Sequence, residues 1–463
     1  MIRIKNKNFY REMLALALPI AFQQLLTTSL TMVDTLMIGR LGETQITAVS
    51  LSGQWAFLFN IFLFGVGSGS SVFFAQYYGS KNYDGIYRSY GLALISLLSV
   101  CVPFTLLAMI APQFILRFFT TDVAVLEEGT RYLRIIALSY VAQAVSIITS
   151  TLLRSVGEVK LPLLGSAVSV VFNVCINYTL IFGKFGFPQL GVSGAAIGSV
   201  VAAYANMATI LIFSARQRNV VWAPLRKMLD IHRPFVKEFY KTAAPVVANE
   251  CIWAVGTTVM NAICGHQGTA NYAALTIQRT ISDLTFVFFN GINNAAAVML
   301  GKKVGAGDLK GAISDSKRYV WIAPALAILL GAIVVAVANP ILHLFKLEAS
   351  THDLARKLLM IYAAVMPLRM FNFIIVCGVF RAGGDTKFGL YMDIIGTWCG
   401  ALLLTFLTAV VFKLPFIFVA ASAYAEDFLK VIPMVVHWRG LKWIKPVTEA
   451  GRKAHEALKQ ETL

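Results

Sequence analysis

Stretches of roughly 20 apolar residues, the length that crosses a ~30 Å hydrocarbon core, recur along the whole chain. Twelve are marked, at 14–38, 47–78, 89–111, 131–153, 161–183, 192–214, 238–264, 273–300, 317–339, 355–379, 388–412 and 416–437. In lipid every backbone polar group must be bonded within the protein, so each run reads as a helix. The expectation is an all-α membrane protein of about twelve transmembrane helices. Charged residues make up only 14% of the 463, against about a quarter in soluble domains, too few to cover a soluble surface. The first run follows a basic leader (Arg3, Lys5, Lys7, Arg11) without an A-x-A-like cleavage site. It reads as a retained span rather than a signal peptide.

The net charge of +17 invites a nucleic-acid reading, but its distribution points elsewhere. With the N-terminus inside and twelve spans, 28 Lys or Arg fall on one side; nine, from Arg40 through Lys346 to Lys413, fall on the other. That is the positive-inside bias, which places both termini in the cytoplasm of a multi-pass cell-membrane protein. The charge then serves orientation and contact with anionic membrane lipids rather than nucleic acid. The cysteines at 101, 175, 251, 264, 377 and 399 all lie in apolar runs without a CxxC. Cysteine there behaves as a small hydrophobe, so neither disulfides nor a metal site are expected.

The chain repeats itself. A shift of 226 positions carries Pro19 onto Pro245, Gly39 onto Gly265, Gly42 onto Gly268, Ala48 onto Ala274, Gly65 onto Gly291 and Gly79 onto Gly305. After a one-residue slip, "RSVGEVK" at 154–160 meets "RAGGDTK" at 381–387. Six spans per half give both halves the same orientation, as in parallel repeats related by an axis along the membrane normal. The expected organisation is a six-helix lobe at 1–214, a basic linker at 215–237, a second six-helix lobe at 238–438 and a charged tail at 439–463. The tail reads as a short amphipathic helix on the inner surface. Paired bundles of this kind rock to give alternating access. No G-x-x-x-x-G-K-[ST] phosphate loop is present, so the chain is expected not to burn ATP. The drive for transport is then an ion gradient or substrate leak, and neither enzymatic activity nor a cofactor is expected.

An ionisable group at a transmembrane helix centre costs ~2.5–3.5 kcal/mol on insertion scales and marks a functional site by default. On the first span Gln24, Thr27, Thr31 and Asp34 follow steps of 3, 4 and 3, one helical face. Asp34 reads either as a functional acid at the end of that face or as an interfacial aspartate capping the outer end near Arg40. Pro19 on that span and Pro245 on the seventh each remove a backbone donor and are expected to bend their helices. Asn173 and Asn177 share a face of the fifth span, and Ser199 lies on the sixth; they line the same N-terminal cavity or simply hold the bundle together. Glu250, in "PVVANECIWAVG", lies too near mid-span to reach water. Asn249 precedes it, with Trp253, Thr257 and Asn261 further along. Such a carboxyl holds a proton, Na+ or a cationic substrate, or is a buried acid bonded to a neighbouring helix. Arg279 and Asp283, four apart on the eighth span, can neutralise each other, or Arg279 can face Glu250. Arg369 and Asn372 complete the polar set of the tenth span, and Asp393 near a cytoplasmic end reads as interfacial.

These residues together carry a resemblance. "LALPIAFQQLLTTSLTMVDTLMIGRLG", "FNVCINYTLIFG", "GVSGAAIGS", "PVVANECIWAVG" and "VFRAGGDTK", in this order within a 6+6 chain, resemble the multidrug and toxic compound extrusion (MATE) transporters over essentially the full length. The resemblance implies export of small organic, often cationic compounds in exchange for inward H+ or Na+. It matches Pro19 and Asp34 to the family's bending proline and first-span aspartate, Asn173 to the same N-lobe cluster, and Glu250 to the seventh-span glutamate of branches that couple through the C-lobe. Asn177 stands where relatives with the full cluster often have aspartate, Ser199 where threonine is common, and the tenth span offers no acid. Hard cations want charged oxygen ligands, so these departures weaken a Na+ site and favour H+. The expectation is an H+-coupled antiporter acting through Asp34 and Glu250, working as a monomer. The alternative within the superfamily is a flippase for lipid-linked precursors, for which Arg369 is the central basic residue. A channel is disfavoured because the polar residues cluster on few helices, and a receptor or scaffold does not account for buried carboxylates.

Overall fold

The computed structural model describes residues 2–343 and 348–462; Lys346, counted above among the outer-side cations, lies outside them. The helices are α1 Ile2–Gly39, α2 Glu43–Gly79, α3 Tyr83–Ile110, α4 Val123–Ile136, α5 Ser139–Val156, α6 Lys160–Phe182 and α7 Val192–Gln217. They continue with α8 Arg233–Gly265, α9 Thr269–Ala306, α10 Leu309–Leu342, α11 Ala349–Gly383, α12 Thr386–Val411, α13 Phe416–Ser422, α14 Ala425–Arg439 and α15 Glu449–Thr462. Among the described residues there is no β-strand, only an isolated bridge between Gly384 and Ile444. The all-α membrane reading holds. Ten helices are long and apolar enough to span, and α4 with α5, bent by 48° at their break, is long and apolar enough together for an eleventh. The twelfth apolar run is broken between α13 and α14, and α14 carries Glu426, Asp427 and Lys430.

The repeat is visible in backbone detail. α1 ends at Gly39 and α8 at Gly265, and α2 begins at Glu43 and α9 at Thr269, each 226 apart. Gly42 and Gly268 both have positive φ, at 133° and 105°. So do Lys81 and Gly307, at 59° and 81°, and Gly157 and Gly384, at 98° and 92°. The last two end α5 and α11 in a left-handed cap, the conformation that glycine adopts without strain. α11 and α12 each wind into π-helix, over Ile374–Phe380 and over Ile394–Leu402 and Leu407–Val411.

The chain forms two compact units. One comprises Phe22–Phe74 and Tyr83–Tyr240. Its core stacks Phe59 on Tyr140 at 4.5 Å and bonds Tyr90 to Thr149 at 2.9 Å. The basic linker belongs to this unit and is stapled to α3 by Lys227–Asp84 at 2.7 Å and Arg88–Asp230, and the start of α8 meets α3 through Tyr240–Ser96 at 2.7 Å.

The other unit is discontinuous: Met1–Ala21, Ala75–Asn82 and Lys241–Leu463. Here α2 and α9 cross at a repeat-related pair of glycines. A Cβ on Gly79 would lie 1.9 Å from the Lys302 carbonyl oxygen, and one on Gly305 would lie 1.9 Å from that of Gln76. Backbone oxygens cannot step aside as a flexible side chain can. Gly305→Val is therefore expected to cost at least ~1–3 kcal/mol by overpacking, read as a lower melting midpoint of purified protein; an unchanged midpoint would refute the crossing.

The segment after α14 is a strap rather than a loose tail. Trp443 is wholly buried, Lys445 N–H donates to Gly383 O at 2.8 Å, and Val447 N–H donates to Gln76 Oε1 at 2.8 Å. Gln76 in turn donates to Ala382 O at 2.9 Å, and Thr448 donates to Gly305 O at 2.7 Å. Asp385 joins the end of α14 to the strap, through His437 at 2.7 Å and Lys445 at 2.8 Å. Burial pushes its carboxyl up, but those two partners outweigh it and hold it below the ordinary 3.8. The amphipathic α15 follows, tied back to α10 by Lys310–Glu461 at 2.9 Å.

Candidate functional site

In the first unit an acid sits among neutral polar groups. Apolar positions pack α1, α6 and α7 together, and the polar residues left on their facing sides meet. Asn177 on α6 donates from Nδ2 to Asp34 Oδ1 at 2.8 Å and to Asn173 Oδ1 at 2.9 Å. Asn173 donates to Ser199 Oγ on α7 at 3.3 Å. Both asparagines are buried, and Asn177 Oδ1 has no hydrogen-bond partner. It lies against Gly198, where a Cβ would come within 1.9 Å of it. Beside this chain opens a cavity of ≈ 160 Å³ lined by Thr31, Asp34, Thr35, Ser50, Tyr132 and Ser199 on its polar side, and by Ile38, Ile46, Val49 and Ala195.

Asp34, Thr31, Asn173, Asn177 and Ser199 are thus brought together. Gln24 is exposed and joins no bond of this group. Its neighbour Gln23 instead donates to Ser166 Oγ on α6 at 2.8 Å. Thr27 and Thr31 donate to the carbonyls of Gln23 and Thr27, at 2.8 and 3.2 Å, so their hydroxyl protons are engaged along the helix. Tyr132 on α4 was not singled out from sequence: a lone tyrosine in an apolar run carries no periodic signal. Pro19 lies in the uninterrupted α1, within three residues of the point where the chain passes from one unit to the other. Pro245 lies likewise within α8.

In the second unit the charges are paired. Glu250 Oε1 meets Arg381 Nη2 at 2.7 Å, with both side chains largely buried, at 16% and 7% exposure. Arg381 stands immediately after the π-helical turn of α11, whose extra residue rotates the following side chains relative to a regular helix. Asn249 donates to Asp393 Oδ2 at 2.8 Å, and Lys430 donates to Asp393 Oδ1 at 2.7 Å and to Glu426 Oε2 at 3.3 Å. Thr397 donates to the same Glu426 oxygen at 2.9 Å. Asn372 donates to the carbonyl and carboxylate of Asp427, at 2.8 and 3.2 Å. Arg369 lies over the Tyr424 ring at 5.7 Å.

Two expectations need correcting here. Asp393 is not a simple interfacial acid; it is bonded on both oxygens within the bundle. Arg279 and Asp283, although four apart on α9, form no ion pair with each other, and Glu250 takes Arg381 rather than Arg279. Helical spacing allows an i,i+4 pair without enforcing it, and here Asp283 is exposed. Thr257 donates to Trp253 O and Ala254 O at 3.0 Å each, Trp253 is exposed, and Asn261 is half-buried. Those three belong to α8 but not to the charged cluster. The cluster's other members are Arg381, which lies in the turn motif beyond run 355–379, and Glu426 and Lys430. The i,i+4 spacing of Glu426 and Lys430 inside run 416–437 was the available signal.

Long apolar helices that bury carboxylates among amides, hydroxyls and basic side chains define a membrane transporter. The MatE family model matches residues 19–179 and 245–426, and the chain belongs to the MATE family. It is 21% identical over 413 residues to the uncharacterized transporter YisQ of Bacillus subtilis, covering 89% of this chain and 90% of that one. It is 22% identical over 444 residues to the "Probable multidrug resistance protein NorM" of Thermotoga maritima, covering 94% and 93%. Among solved structures, a MATE in the bent conformation matches with a TM-score of 0.84 at 17% identity, covering 94% and 96%. An outward-facing multidrug resistance MATE family transporter of the MOP superfamily matches at 0.83 and 17%, covering 93% and 95%. The fold is the two-lobe, twelve-helix fold of these transporters.

Proposed function

We propose that the chain is a cell-membrane antiporter, both termini cytoplasmic, that exports small organic, often cationic compounds in exchange for inward H+. The observation that carries this reading is Asp34: one acid beside a polar cavity, bonded to the neutral Asn177 and backed by Asn173 and Ser199. A single carboxylate among neutral groups suits a proton, which needs one base. Na+ favours several oxygen ligands with more than one charge among them. Protonation of Asp34 stabilises one access state and substrate the other, since coupling requires different affinity for the two states. Glu250 already holds an internal cation, Arg381, so its part is to yield that partner rather than to wait as a free acid. The flippase alternative leans on Arg369, whose guanidinium is engaged with the Tyr424 ring; that supports antiport over recognition of a lipid phosphate.

The test is dye efflux from proteoliposomes under an imposed ΔpH or an imposed ΔpNa. Efflux is expected with ΔpH alone. Efflux driven by ΔpNa and indifferent to ΔpH would overturn the H+ assignment.

A further inference from the structure

The acid cluster of the second unit has the makings of a cation site, and a side chain already fills it. Lys430 Nζ lies between Asp393 Oδ1 at 2.7 Å and Glu426 Oε2 at 3.3 Å. Around these carboxylates stand the Thr397 hydroxyl, bonded to Glu426, and the Asn249 amide, bonded to Asp393. Asn249 is 5% exposed, and its Oδ1 has no hydrogen-bond partner. Two carboxylates and a hydroxyl are hard oxygen donors of the kind a monovalent or divalent metal ion takes. The ammonium's position is built, too. A Cβ on Gly396, in the π-helical part of α12, would lie 2.0 Å from Lys430 Cε and 2.9 Å from Cδ, so the lysine stem threads through the space that glycine leaves. Lys430 is 7% exposed.

We infer that Lys430 is a resident counter-cation that occupies the C-terminal unit's cation site and so makes that unit indifferent to external Na+. Asp393 and Glu426 are the ligands it masks, and Lys430 thereby sets the ion selectivity of the transporter. The inference deepens the H+-coupled reading and rests on it for its meaning in transport, but its test is ion binding and uses no transport. Removing the ammonium leaves two carboxylates facing a gap the size of a lysine head group, and a small cation from solution fills it.

The experiment measures the melting midpoint of purified full-length protein in sodium chloride against choline chloride at equal ionic strength. The wild type is expected to show no difference. Lys430→Ala is expected to melt at least roughly 2 °C higher in Na+, since a ligand that binds only the folded state raises its midpoint. Adding Asp393→Asn to that variant is expected to abolish the gain. A Lys430→Ala protein that folds and ignores Na+ overturns the inference. So does a wild type that Na+ stabilises and that loses this response in Asp393→Asn, a measurement that stands even if Lys430→Ala does not fold. A wild-type Na+ response lost in Asp34→Asn but kept in Asp393→Asn would instead sink the H+ assignment and leave the role of Lys430 intact.

Discussion

Asp34→Asn is expected to lower ΔpH-driven efflux at least tenfold while leaving the protein folded. Asparagine keeps the size of the side chain and an oxygen that accepts from Asn177 Nδ2, now 2.8 Å from Asp34 Oδ1. It cannot bind and release a proton. A tenfold loss corresponds to only about 1.4 kcal/mol of differential stabilisation between access states, a small share of what titrating one buried acid can supply. The measurement is initial efflux rate against ΔpH, with the melting midpoint as the control for folding. Near-wild-type rates in Asp34→Asn would move the coupling site elsewhere, with Glu250→Gln as the next variant to read. Because Glu250 already has Arg381, Glu250→Gln is expected to shift the rate less than Asp34→Asn does.

Arg381→Ala is expected to be the most destabilising single substitution in the charged cluster, by about 3–5 kcal/mol, because it strands a buried carboxylate. The pair is short, 2.7 Å, and both side chains are largely buried, so water cannot replace the guanidinium at little cost. Glu250→Gln should cost less, since the amide still offers Arg381 an oxygen. The double variant Glu250→Gln/Arg381→Met should recover much of the loss, since removing both charges also removes the desolvation that made the single loss severe. Thermal melts of the three variants test this. If Arg381→Ala melts with the wild type, the ion pair contributes nothing to the folded state.

How much of this was legible follows from how each signal is written. The spans were legible because lipid imposes one rule on every residue of a helix. The repeat was legible because glycines and prolines report backbone geometry: Gly79 and Gly305, one repeat apart, let α2 and α9 approach closely, Gly79 against Lys302 and Gly305 against Gln76. The Asp34 group was legible because each of its members interrupts an apolar face. The partner of Glu250 was not. Arg381 is 131 positions away and reads locally as part of the turn motif "RAGGDTK". It follows directly on the π-helical turn over Ile374–Phe380, which leaves no mark in hydrophobic periodicity. Lys430 escaped for a related reason. Its direction depends on Gly396 across α12, and no spacing along one helix encodes contact with another. The pair expected from spacing alone, Arg279 with Asp283, did not form.

The strap has a consequence for how the molecule is made. Gln76 is synthesised early, yet its side chain is satisfied only by Ala382 and by the backbone of Val447. The buried place of Trp443 and the bond from Thr448 to Gly305 likewise wait on residues that follow every apolar run. Most of the chain must therefore be inserted and held before one of its two units can close, leaving nascent protein dependent on the insertion machinery until residues 443–448 have emerged. A premature stop near residue 440 would yield all the membrane spans and an unfinished fold, a product for quality-control proteases rather than a weakened transporter.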